Sequence, residues 1–138
     1  MKKICIIYNS KISLFNKFLL NKIIKILKKE NHVETFATER VGHATLLCKV
    51  HINKFDVIVA AGGDGTINEV INGMDDKKTL AIIPLGTANI GAYEANIHKN
   101  SNDITNTILS GRIKKIHIQE ANNLSLIHIS EPTRRTPI

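Results

Sequence analysis

Five short apolar runs divide the chain, and helical patterns separate most of them. The first, "KICIIYN" at 3–9, has the continuous apolar character of a strand buried on both faces. From Ser13 to about Glu30, apolar residues recur at spacings of three and four: Phe15, Phe18 and Leu19, Ile23, then Ile26 and Leu27. Lys17, Lys22, Lys25, Lys28 and Lys29 fall mostly on the other side, so the segment predicts an amphipathic helix. A helix lying on a membrane surface has a similar pattern, but the flanking strands favour one packed on a sheet. "HVETFAT" predicts a second strand, "GHATLLCKVHI" a second helix and "FDVIVAA" a third strand. "TINEVINGM" predicts a third helix ending near Gly73, and "TLAIIP" a fourth strand. Short helices are expected around 90–95 and 102–109, and "RIKKIHIQE" reads as a fifth strand. Such alternation predicts an α/β fold: a Rossmann-like parallel sheet with helices on both faces.

The last fifteen residues, "LSLIHISEPTRRTPI" (124–138), show no clear period and fit no element of that plan. The stretch 124–134 resembles translated read-through of a transposase adapter used in sequencing libraries. The expected organisation is therefore one domain over 1–123, followed by a non-native tail over 124–138.

At 138 residues, the chain suits one core. Its 43% hydrophobic and 22% charged residues are ordinary for a globular protein, and its net charge of +7 favours an anionic partner. Only six aromatics occur, with no basic–aromatic interleaving, so nucleic acid is not an expected partner. Cys5 and Cys48 lie far apart and read as reduced residues, not metal ligands. His32, His51, His98 and His117 also lack metal-ligand spacing. No stretch approaches a membrane span, which points to the cytoplasm.

Candidate chemistry sits in "VIVAAGGDGTINEV", 57–70, where a glycine turn joins the third strand to the third helix. Gly62 and Gly63 let backbone approach an anion closely, and N–H groups opening the helix can point at phosphate. Asp64 would repel bare phosphate. It becomes useful if it holds Mg²⁺, directly or through water, or takes a proton from an attacking hydroxyl. "TINE" matches a capping box, so Glu69 is expected to cap its own helix, while Thr66 could cap and also contact phosphate. In "PLGTAN", Gly86 permits a tight turn, and Thr87 and Asn89 offer polar side chains at the end of a neighbouring strand. His43 could approach a phosphate, although a partly exposed histidine near a helix start is the commoner case.

"GGDGTINEV", followed about twenty residues later by "IPLGTAN", resembles the catalytic domain of the diacylglycerol kinase and sphingosine kinase family, bacterial lipid-kinase branch. "TERVGHATLL" resembles a third family segment, and "YNS" keeps the family's Asn at Asn9 while Ser10 replaces its usual Pro. The likeness spans roughly 3–123. It implies an ATP-dependent kinase acting on a lipid hydroxyl, with a nucleotide-binding domain related to those of phosphofructokinases and NAD kinases. By motif, Asn9 and Thr38 would lie near the nucleotide. Gly62, Gly63, Asp64, Gly65 and Thr66 would line phosphates and metal, and Gly86, Thr87 and Asn89 would close the other side. Ile90 stands where many relatives have Asp, which bears on subfamily. The family's second, β-rich domain is missing, so the chain alone is expected to bind nucleotide weakly and to turn over little or nothing.

The resemblance also implies transient contact with the inner membrane face; oligomeric state stays open, a homodimer included. Two alternatives remain: an NAD kinase-like enzyme sharing "GGDGT", and a non-catalytic nucleotide-binding or membrane-surface module.

Overall fold

The computed structural model describes residues 1–75, 77–85, 112–120 and 123–131, with backbone alone for Pro84 and the last two segments. Among the described residues, six strands form one sheet in the order β2-β1-β3-β4-β6-β5. They are β1 (Lys3–Asn9), β2 (His32–Thr38), β3 (Val57–Gly62), β4 (Thr79–Pro84), β5 (Arg112–Glu120) and β6 (Asn123–Glu131). Helices α1 (Leu14–Leu27), α2 (His43–His51) and α3 (Asp64–Gly73) connect the first four strands.

The first four strands are parallel, with Ile4 opposite both Val33 and Val57, and Ile58 opposite Leu80. From β1 the chain moves one way to β2, then back across β1 to β3 and onward to β4. Right-handed crossovers therefore put α1 on one face, and α2 and α3 side by side on the other. The expected α/β architecture with helices on both faces is what the chain adopts.

Burial explains why the strands read as unbroken apolar runs. Ile4, Cys5, Ile6 and Ile7 are fully buried, as are Ile58, Val59, Ala60 and Ala61. Side chains pointing to both faces meet helices, so no alternation survives. Each isoleucine of this kind contributes about 1.5–3 kcal/mol through burial.

Three expectations need correction. The buried stripe of α1 is Asn16, Leu20, Ile23 and Leu27, whereas Phe15 and Phe18 face solvent. Both settings of the helix satisfy the three–four spacing, and contact with the sheet chose the one led by Leu20. The third helix begins at Asp64, with Gly63 as its N-cap, so Thr66 lies inside its first turn.

Third, residues 124–131 do not stand outside the fold: together with Asn123 they form β6, antiparallel to β5 and parallel to β4 at Thr79–His128 and Leu80–Ile129. In "LSLIHIS" the apolar alternation changes phase between Leu126 and Ile127, which hides a β-branched strand from a search for one period. The fifth strand is present at its expected bounds, but its partner is the antiparallel β6. The helices expected around 90–95 and 102–109 lie outside the described residues.

Cys5 and Cys48 are fully buried free thiols. Burial first, then the charge of neighbouring groups (Cys48 and Glu34 for Cys5, Asp75 for Cys48), raises each pKa from the ordinary 9.0 to about 12. The folded state thus keeps protons that the unfolded chain releases. The contribution to stability is complete below pH 9.0 and is lost as pH rises through about 12. Neither thiol should react with a chromogenic disulfide reagent near pH 8 until denaturant is added, and melting temperature should fall as pH rises above 9.0. Rapid labelling of the folded chain would contradict both expectations.

Candidate functional site

A sheet whose connections reverse direction opens a crevice at the carboxyl ends of the strands where the reversal occurs. Here that point lies between β1 and β3. A cleft of about 220 Å³ is found there, lined by Asn9, Ser10 and Lys11 after β1 and by Thr38, Glu39, Arg40 and Val41 after β2. Gly65, Thr66 and Glu69 of α3 complete it.

The first two walls are stitched together. Asn9 closes a tight turn: its Oδ1 accepts from Lys11 N at 2.9 Å and its carbonyl from Ile12 N at 3.3 Å. Ser10 Oγ then donates to the Thr38 carbonyl at 2.6 Å, and Ser10 N to the same oxygen at 3.4 Å. A proline at position 10 has neither donor, so the serine that departs from the family pattern supplies its own tie to β2. Thr38 is buried at the end of that strand.

The glycine turn forms the floor. Gly62 is the last residue of β3, and its carbonyl accepts from Leu85 N at 2.9 Å. A Cβ at Gly62 would stand 2.8 Å from Thr66 Oγ1 and 2.9 Å from Thr66 Cβ, because that side chain folds back over the turn. Asp64, half-buried, is the first helical residue of α3, whose N-cap Gly63 provides no side-chain cap. At Gly65 an added Cβ would meet nothing within 4 Å, so the side of the helix that lines the cleft has open space for a ligand.

Glu69 does cap a helix, but not its own. Its Oε2 accepts from Gly42 N at 3.1 Å and its Oε1 from Ala44 N at 3.2 Å, both at the start of α2. Gly42, in the left-handed region at φ 85°, has no side-chain cap to offer there. Thr45 Oγ1 also donates to the Glu69 carbonyl at 2.6 Å. The positive end of α2 is thereby neutralised by the protein itself, whereas α3 opens onto the cleft without a side-chain cap.

The structure brings Asn9, Thr38, Gly65 and Thr66 into one cleft, with Gly62, Gly63 and Asp64 in the adjoining turn. Gly86, Thr87 and Asn89 lie outside the described residues. His43 accepts from Glu39 N through Nδ1 at 3.0 Å, holding its own loop. His51 stacks on Phe36 with 4.0 Å between ring centroids. Among the described residues, no three His, Cys, Asp or Glu side chains cluster to hold a metal.

Sequence reasoning missed Lys11, Glu39, Arg40 and Val41 of the cleft, and Asn16 outside it. Lys11 and Arg40 bring cationic side chains to the cleft, from loops that read as ordinary connections. Asn16, on the apolar stripe of α1, is buried and donates through Nδ2 to the Leu85 carbonyl, while its Oδ1 has no hydrogen-bond partner. Leu85 is thus held from β3 and from α1 immediately before Gly86. A buried asparagine on an apolar stripe was the signal available.

The sequence profile of the diacylglycerol kinase catalytic domain matches residues 3–121. The chain belongs to this family. A diacylglycerol kinase of Staphylococcus aureus strain JH9 is 35% identical over 144 aligned positions, covering 99% of this chain and 45% of that protein. A crystal structure of a diacylglycerol kinase from Bacillus anthracis superposes with a TM-score of 0.68 at 28% identity, covering 83% of this chain and 44% of the other. An NAD kinase from Archaeoglobus fulgidus, solved in complex with ATP, superposes at TM-score 0.56 with 19% identity over 83% of this chain and 40% of its own, a likeness of fold alone. The diacylglycerol kinase domain described here thus spans less than half the length of the curated relatives it matches. No helix among its described residues is long and apolar enough to cross a membrane.

Proposed function

We propose that this chain is the nucleotide-binding part of an ATP-dependent lipid kinase, which moves the γ-phosphoryl of ATP to a lipid hydroxyl such as that of diacylglycerol. The observation that carries the reading is the start of α3, Gly63 to Thr66, whose N-cap glycine offers no side chain, beside a cleft that also holds Lys11 and Arg40. Lys11 and Arg40 line that cleft beside Glu39 and Glu69, and the Glu69 carboxylate is already taken up by the start of α2, so the start of α3 and the two cations are the groups left to meet a polyphosphate.

In this reading the triphosphate lies along the turn, with Gly65 leaving it room and Thr66 offering a hydroxyl. Gly86, Thr87 and Asn89 close the far side, as the family resemblance implies. Lys11 and Arg40 offset charge on the phosphate oxygens as the bond from γ-phosphorus to its bridging oxygen breaks. The lipid oxygen bonds to that phosphorus, ADP leaves, and the hydroxyl proton passes to a base. Asp64 takes that proton or anchors the metal. Mg²⁺ fits a site of this kind, because it commonly binds through one or two carboxylates, substrate phosphates and retained waters. One carboxylate beside a phosphate cleft provides that much, and the ion would supply positive charge at the phosphates.

The protein acts at the cytoplasmic membrane face in this proposal, and residues 124–138 are foreign to its natural reading frame. Because the chain is about 45% of its relatives' length, it is expected to bind ATP weakly without turning over. Calorimetric titration with ATP and magnesium tests the first part, and a phosphorylation assay with diacylglycerol vesicles the second. No heat of binding would sink the nucleotide reading; clear phosphatidate formation would sink the claim of inactivity.

A further inference from the structure

Asn16 is the polar member of the buried stripe of α1, whose other members are Leu20, Ile23 and Leu27, and it is only 9% exposed. An amide in that place needs a reason, because a buried polar group that is incompletely bonded costs stability. Its Nδ2 donates to the Leu85 carbonyl, while its Oδ1 is buried with no hydrogen-bond partner among the described residues. A leucine would complete the apolar stripe and leave no orphaned oxygen on the helix. Residues that break a local rule in this way are expected where a fold serves a site.

Both ends of the tie are fixed. Asn16 lies in the first turn of α1, and its own N–H donates to Oγ of the N-cap Ser13 at 3.1 Å. Leu85 is buried just past the last pair that β4 makes with β3, Gly62 opposite Pro84. On the other side of β4, β6 pairs only with Thr79 and Leu80, so neither neighbouring strand extends to the Leu85 carbonyl. Leu85 N donates to the Gly62 carbonyl at 2.9 Å, where the glycine turn begins. One residue is thus bonded through its N–H to the glycine turn and through its carbonyl to α1. The lead-in to α1, Asn9 to Lys11, is itself a wall of the cleft. Gly86, the first of the second motif's candidate residues, comes next in the chain.

We propose that Asn16 is a positioning residue for the nucleotide. By holding the Leu85 carbonyl, it sets where the chain enters the segment from Gly86 to Asn89, and so how that segment stands toward the glycine turn. It touches no phosphate and acts through Leu85. Without its amide the Leu85 carbonyl has no donor, and the start of the second motif is held from Gly62 alone. The inference rests on the nucleotide reading and adds to it a residue that lies in neither motif.

Calorimetric titration of the 138-residue chain with ATP and magnesium, beside a thermal melt of each variant, tests the role. Asn16→Leu keeps the bulk of the side chain and removes the donor, and it should weaken ATP binding by ~10-fold or more. Asn16→Ser, whose hydroxyl is too short to reach, gives the same comparison with a smaller side chain. Asn16→Gln keeps the amide and should recover most of the affinity, whatever the longer chain does to the melt. Ile23→Val trims the same buried stripe two turns further along, so it should lower the melting temperature and leave ATP affinity unchanged. Undiminished binding by Asn16→Leu or Asn16→Ser would overturn the proposal. So would affinities that follow the melting temperature through the whole series, or loss of the fold in both of those variants, since Asn16 would then only hold the fold. No ATP binding by the unsubstituted chain sinks the nucleotide reading and this role with it, whereas binding that ignores Asn16 sinks the role alone.

Discussion

Asp64→Asn is expected to weaken ATP binding at least ~10-fold in magnesium and to leave it unchanged, or slightly tighter, in EDTA. The reversal follows from where the carboxylate sits. Asp64 opens α3, whose N-terminal N–H groups face the proposed phosphate position. Without a metal, its charge opposes phosphate and competes for the positive end of the helix. With magnesium the same charge draws the ion to the phosphates, and the repulsion becomes attraction. Asparagine keeps the shape and removes the charge, so it isolates that effect. A thermal melt of the same variant reads the cost to folding, of which the acid's place in the first turn accounts for about 0.3–1 kcal/mol. Calorimetry in the two buffers is the measurement. An equal loss in both would mean that Asp64 positions the turn and has no part in handling metal.

Gly73→Ala should give the larger loss of stability, and it should reach the cleft from the far end of α3. An added Cβ would lie 2.7 Å from the Thr45 carbonyl oxygen and 2.8 Å from Cys48 Cβ. One is backbone and the other a first side-chain carbon, so neither can swing aside and α2 must move. Overpacking of this sort costs about 1–3 kcal/mol, enough to lower the melting temperature by several degrees. One turn earlier, Glu69 holds the start of α2 through bonds of 3.1 and 3.2 Å, which leave little room to stretch. Moving α2 therefore releases the wall from Thr38 to Val41, and ATP affinity should fall together with stability. Gly65→Ala provides the contrast. Its Cβ meets no protein atom within 4 Å, so the melt should hold or rise while the methyl group intrudes on the ligand. Melts and titrations of the two variants, side by side, check whether stability and binding separate at Gly65 and move together at Gly73.

These effects show how unevenly the site could be read in advance. The glycine turn was legible because three glycines cluster directly after an apolar strand, a place that puts them at a carboxyl edge, and at Gly62 the fold leaves no room for a Cβ beside Thr66. Lys11 and Arg40 were not, because a basic residue in a loop looks the same whether or not a fold points it at a cleft. Glu69 had the spacing of a local cap, yet its carboxylate bonds to residues 27 and 25 positions away. Local spacing cannot reveal a competing partner that arrives by tertiary contact.

By itself, the sequence determined four of the strands to the residue. The bounds 3–9, 32–38, 79–84 and 112–120 are those observed, since a buried strand is a run of apolar side chains and a turn marks its end. It also determined the α/β order and the position of the phosphate turn, which are properties of consecutive residues. Tertiary structure alone decided which side of α1 meets the sheet, leaving Phe15 and Phe18 outside, and that Glu69 caps α2. It decided too that 112–120 pairs antiparallel with 123–131. Each of these depends on which of two locally equivalent surfaces finds a partner. That choice is made by the burial of distant residues against one another.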